Sequence, residues 1–259
     1  MTKKWLTIFI QSHLFLAVSA FIFSIGILKR SDVALHFSLA LAFAVFGVYN
    51  LNRLNKIKKN QLANEMRFWY EQHSVILGFT AKFSLFIAAL IYIYLLEKET
   101  ILLLLLGATG LITLLYIFSV RKINLRQIPG TKALWISIIW TLIAVVIPNV
   151  NLHHFAWGEL HYFILFFALT IPGDMRDKLI DDSKMKTIPQ LIGNRNAILL
   201  FYFIIGLFLI LSFFLNSISI IGIFAVISLL PFLFSICMLF RYELVDGILL
   251  ILGVCYLIK

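Results

Sequence analysis

Charge is scarce in this chain. Only 13 % of its 259 residues are Asp, Glu, Lys or Arg, about half the share an ordinary soluble domain carries. Cysteine is limited to Cys237 and Cys255, both inside apolar runs, which argues against a disulfide framework or a thiolate metal site. Proline is rare as well, with five residues, too few for disordered tails. No P-loop, dinucleotide-binding glycine pattern, Ser-His-Asp order or Cys pair is present, so the common soluble nucleotide-binding and hydrolytic chemistries have no foothold.

Apolar side chains take the place of these residues. The chain is 62 % hydrophobic, with a mean hydropathy of +1.00. Such a composition belongs in a bilayer, where a helical span needs about 20 residues. The apolar runs are Trp5–Leu28, Val33–Tyr49, Ser74–Leu96, Thr100–Val120, Ala133–Pro148, Gly158–Pro172, Ala197–Asn216, Ile218–Phe240 and Leu244–Ile258. They are continuously apolar, without the two-residue alternation of barrel strands, so they predict an all-α polytopic membrane protein of nine helices. The shorter runs at 33–49, 158–172 and 244–258 are expected to continue as helix into their flanks. The first run carries Lys3 and Lys4 before it and no small-residue cleavage site, which reads as a first span and not as a removed signal peptide.

The net charge of +10 reads as topology and not as affinity for nucleic acid. With the N-terminus inside, 17 Lys and Arg fall on inner segments and four on outer ones. Cytoplasmic loops collect positive charge, so the split predicts a cytoplasmic N-terminus, an external C-terminus and a single domain over residues 1–259.

Chemistry concentrates on the inner side. Of six aspartates, Asp174, Asp177, Asp181 and Asp182 crowd into nine residues of the sixth loop. On a helix Asp174, Asp177 and Asp181 share one face, with Asp182 off it. Three carboxylates together repel unless a cation sits among them, and Mg²⁺ prefers oxygen ligands and bridges carboxylates to phosphates. The alternative is a solvated acidic helix end neutralised by Arg176, Lys178 and Lys184. The segment continues to Thr187, Pro189 and Gly193. The fourth loop offers Tyr116 and Ser119, then Arg121, Lys122, Arg126 and Lys132.

In these two loops the chain resembles the UbiA superfamily of intramembrane prenyltransferases. The sixth loop matches that family's D-x-x-D-x-x-x-D motif and its T-x-P-x-x-x-G continuation. The fourth loop is similar to its Tyr-Ser start, basic stretch and Lys before span five. The resemblance implies transfer of a prenyl group from an isoprenoid diphosphate to a lipophilic, often aromatic, acceptor. It also implies Mg²⁺ on Asp174, Asp177 and Asp181, a central lipid-facing cavity, and Lys184, Arg121 and Lys122 near the diphosphate. Metal and basic side chains would stabilise the leaving-group charge.

The family's first aspartate-rich motif is missing. Its place, at the inner end of span two, reads Tyr49-Asn50-Leu-Asn52-Arg53-Leu-Asn55-Lys56-Ile-Lys58-Lys59. Asn50 can offer a carbonyl oxygen without charge, while Arg53 and Lys56 can meet a diphosphate directly. Lys58 and Lys59 read as topology determinants. The same departure also suits a non-catalytic isoprenoid- or quinone-binding relative. A transporter is a third possibility, but no internal repeat supports it.

Four other features draw attention. Lys82 lies about eight residues into span three, where a charge costs ~2.5–3.5 kcal/mol, so it should face a pocket or a polar partner. Asp246, at the start of span nine, poses a similar question. Tyr49 and Tyr116 stand at inner span ends beside polar motifs, as pocket candidates. His153, His154 and His161 with Glu159 have no distinctive metal spacing and read as interfacial.

Overall fold

The structure, a computed structural model, describes residues 8–28, 32–58, 64–117, 128–153, 155–177, 186–234 and 243–258. Among them there are helices and turns but no strand. Each apolar run carries a helix: α1 Leu14–Ile27, α2 Asp32–Lys58, α3 Asn64–Leu96, α4 Thr100–Ile117 and α5 Lys132–Asn151. A 3₁₀ turn, Trp157–His161, leads into α6 Tyr162–Asp177, followed by the single turn α7 Ile188–Ile192. The chain continues through α8 Asn194–Phe214, α9 Ile220–Phe234 and α10 Glu243–Ile258.

Five of these, Asp32–Lys58, Arg67–Leu96, Thr100–Ile117, Lys132–Asn151 and Asn194–Phe214, are long and apolar enough to cross a membrane. Their outer faces are apolar too: on α3, Val75 is 83 % and Phe79 70 % exposed. Water would penalise such a surface, whereas lipid does not. The molecule therefore has membrane-like, multi-helix character.

The run at 33–49 does continue as helix, nine residues further to Lys58, so the Asn-rich segment is helical. Likewise α6 runs through Pro172 to Asp177. The last run gains only Glu243 among the described residues. Pro148 leaves its mark inside α5: Leu142–Val146 form a π turn in which the Ile147 N–H reaches the Leu142 carbonyl. Pro148 has no N–H to send to Ala144, and the wider turn accommodates that gap.

Aromatic and branched side chains from α1, α2, α5, α6, α8 and α10 fill the main core, with Phe23, Phe201, Phe208 and Ile248 fully buried. Two close crossings set the frame. A Cβ on Gly253 would lie 2.5 Å from the backbone of Ile22 and Phe23, so α10 and α1 pack backbone against backbone. A Cβ on Gly47 would lie 2.8 Å from the Ala81 carbonyl oxygen, which fixes where α2 crosses α3. Small residues permit such approaches where apolar tails surround the bundle.

Candidate functional site

The first apolar run is interrupted near its N-terminal end. Residues 8–11 are helical, His13 adopts a left-handed backbone (φ 58°), and α1 starts only at Leu14. A break of this kind frees carbonyls that must find other donors inside a bilayer. The Asn50 side-chain amide supplies one, donating to the Ser12 carbonyl at 2.8 Å and to the Phe46 carbonyl at 2.8 Å. The Tyr70 hydroxyl donates to the Gln11 carbonyl. The polar triplet Gln11-Ser12-His13 inside an apolar run is the sequence signal for this break.

The C-terminal turns of α2 therefore carry two faces. At 100° per residue, Tyr49, Asn50, Arg53 and Lys56 fall on one side. Asn50, Arg53 and Lys56 are 0 %, 5 % and 2 % exposed, and Tyr49 is half-buried. Tyr49 reaches α5, where the Trp140 indole donates to its hydroxyl over a long 3.4 Å, and it packs on the His13 ring. Asn55 donates to the Ile117 carbonyl at 3.0 Å, tying in the end of α4, where Tyr116 is buried.

The strongest electrostatic feature joins the fourth and sixth loops. Lys132, the first residue of α5, places its Nζ 2.6 Å from Asp174 Oδ1 on the last turn of α6, with side-chain exposures of 8 % and 3 %. The Gly130 N–H, in a left-handed turn (φ 73°), donates to the Lys186 carbonyl at 2.7 Å. Two segments that the sequence separates by more than 40 residues thus meet on both backbone and side chain.

The residues Thr187, Pro189 and Gly193 have a structural account. Thr187 is the N-cap of α7, its N–H bonded to Gln190 Oε1 at 2.8 Å, and Pro189 sits in the first turn. Gly193 takes φ 81°, a conformation only glycine adopts without strain, and hands the chain from α7 to α8. This compact turn holds Lys186 against Gly130.

Asp181, Arg121, Lys122 and Lys184 lie outside the described residues, as does His154, and so does the side chain of Asp177. Of the expected metal ligands, Asp174 is described, buried and paired with Lys132. Among the described residues no group of three or more His, Cys, Asp or Glu is placed to hold a metal. Lys82 is not part of the buried set. It is exposed and lines a groove between α2 and α3 that Arg53 and Lys56 do not line. Asp246 is half-buried at the start of α10. His161 serves the fold: Nδ1 bonds the Gly158 carbonyl at 2.6 Å, and the Ser217 hydroxyl lies 3.3 Å from Nε2.

Compared with protein-family models, curated proteins and solved structures, the chain gives no match.

Proposed function

We propose that this chain is a membrane prenyltransferase of the UbiA kind. In this reading it moves a prenyl group from an isoprenoid diphosphate to a lipophilic acceptor. Nine spans would place its N-terminus in the cytoplasm and its C-terminus outside. The observation that carries the reading is the buried Lys132–Asp174 pair, which joins the two loops that resemble that family. Buried Lys, Arg and Asp at the end of an apolar bundle are costly and mark function by default.

Mg²⁺ prefers oxygen donors, and the buried Asp174 carboxylate is one; Asn50 Oδ1 on α2, buried and accepting no hydrogen bond among the described residues, is another of that kind. Asp174, with Asp177 and Asp181 after it, would hold the ion. Bound there, it would neutralise charge on a departing diphosphate. Arg53 and Lys56, buried on the inward face of α2, would hold the diphosphate where the family has carboxylates. Lys132, 2.6 Å from Oδ1, would orient the Asp174 carboxylate inside the protein. The apolar bundle takes the prenyl tail and keeps water from the allylic centre.

A second reading, a non-catalytic isoprenoid-binding protein, draws on one observation. The Asn50 amide that stands in the first motif is committed to the Ser12 and Phe46 carbonyls. Binding of geranylgeranyl diphosphate to the purified chain, with Mg²⁺ and then with EDTA, separates the two. The transferase reading expects binding that needs Mg²⁺ and is lost in Asp174→Asn and Asp177→Asn. Binding indifferent to EDTA would favour the carrier, and no binding in either condition would refute both.

A further inference from the structure

Along α2 and α3, from the Gly47–Ala81 crossing toward Lys58, runs a groove of about 730 Å³. One stripe from each helix lines it. Leu51, Leu54, Asn55 and Lys58 come from α2, and Ser74, Val75, Gly78 and Lys82 from α3. The spacings are i, i+3, i+4, i+7 and i, i+1, i+4, i+8, so each set runs along one side of its helix. Glu71 stands at the mouth, already held by Arg67 at 2.7 Å.

Lys58 and Lys82 are both exposed, and among the described residues neither is in an ion pair. Lys58 ends α2. Lys82 lies eight residues beyond Ser74, about 12 Å along the helix axis, against a hydrocarbon half-thickness of about 15 Å. A lysine at that depth needs an anion or water brought to it. The groove supplies the route, with polar groups toward its mouth and Leu51, Leu54, Val75 and Phe79 along its walls.

We propose that this groove is a binding site for an anionic phospholipid of the surrounding leaflet. Its phosphate enters at the end of the groove beside Lys58, Lys82 reaches toward it from deeper in, and one acyl chain lies along the apolar wall. Basic pockets between membrane helices select anionic head groups in this way. The site is separate from the buried Arg53 and Lys56, neither of which lines the groove, and it requires only that the chain sit in a bilayer.

Native mass spectrometry of the purified, delipidated full chain in detergent tests it, with dioleoylphosphatidylglycerol against dioleoylphosphatidylcholine. The phosphatidylglycerol adduct is expected to dominate, with the preference falling about fivefold in Lys58→Gln and again in Lys82→Gln, the attraction of one basic side chain for anionic lipid. Gly78→Leu keeps both charges but fills the groove and should abolish the preference. Gly78→Ala should keep it, because its Cβ meets only Leu54 Cδ1 at an ordinary 3.7 Å. Equal retention of the two lipids, or an unchanged preference in a folded Gly78→Leu, overturns the proposal. So does one-for-one displacement of phosphatidylglycerol by geranylgeranyl diphosphate that depends on Lys82, which would assign the groove to a prenyl donor.

Discussion

Replacing Lys132 by methionine removes one charge from the buried pair and keeps most of the side chain's volume. The pair is 2.6 Å apart with both side chains under 9 % exposed. At an effective dielectric of about 20, unit charges at that separation attract by ~6 kcal/mol, and the cost of desolvating both offsets much of this. Removing one partner leaves the desolvation cost of Asp174 with less return, and such truncations cost about 3–5 kcal/mol. Lys132→Met should therefore lose that amount in reversible unfolding in mild detergent, followed by tryptophan fluorescence. The double variant Lys132→Met, Asp174→Leu should recover most of it, because an apolar pair needs no solvation. If the single variant costs under about 1 kcal/mol, water reaches the pair and the argument for a dry ionic site fails. Equal losses in the single and double variants would refute the pairwise coupling itself.

Three further outcomes follow from the geometry. Asn50→Leu deprives the Ser12 carbonyl of its side-chain donor and should cost about 1–3 kcal/mol, with faster amide exchange at the start of α1. Gly253→Ala puts a methyl 2.5 Å from the backbone of Ile22 and Phe23 and should cost about 1–3 kcal/mol, whereas Gly206→Ala, with nothing within 4 Å, should be neutral or stabilising. With Cys237 and Cys255 replaced by Ser, a cysteine at Lys98 should react with an impermeant maleimide on intact cells, and one at Lys58 only after permeabilisation. The opposite labelling would reverse the proposed topology.

Much of the fold was legible because lipid-facing helices carry their own signal. Nine apolar runs anticipated a helix at each position, and the expected flanking extensions appear in α2 and α6. The boundaries were harder, since a helix can leave the apolar layer without a break: Leu51, Leu54 and Ile57 are too sparse among polar residues to extend the apolar run, yet Asn50 to Lys58 continue α2. The interruption at Ser12–His13 was missed because hydropathy averages over it, and its cause is tertiary, resting on donors from Asn50 and Tyr70. At the site, the acidic cluster that begins on α6 with Asp174 was visible in the sequence. That Lys132 is the partner of Asp174 was not, because no local rule links residues 42 positions apart. Lys82, expected to face a pocket or a polar partner beside the diphosphate, is instead exposed on a groove that Arg53 and Lys56 do not line.

The embrace of α1 by α10 sets a schedule for biogenesis. Gly26 and Gly253 sit in the same crossing, yet roughly 230 residues of synthesis separate them, on the order of ten to forty-five seconds at ribosomal rates. Throughout that interval the flank of α1 that will receive α10 has no protein against it, so lipid, the translocon or an insertase must occupy it. The crossing closes only when α10 is released, so a chain stalled before it would leave that flank of α1 open to recognition.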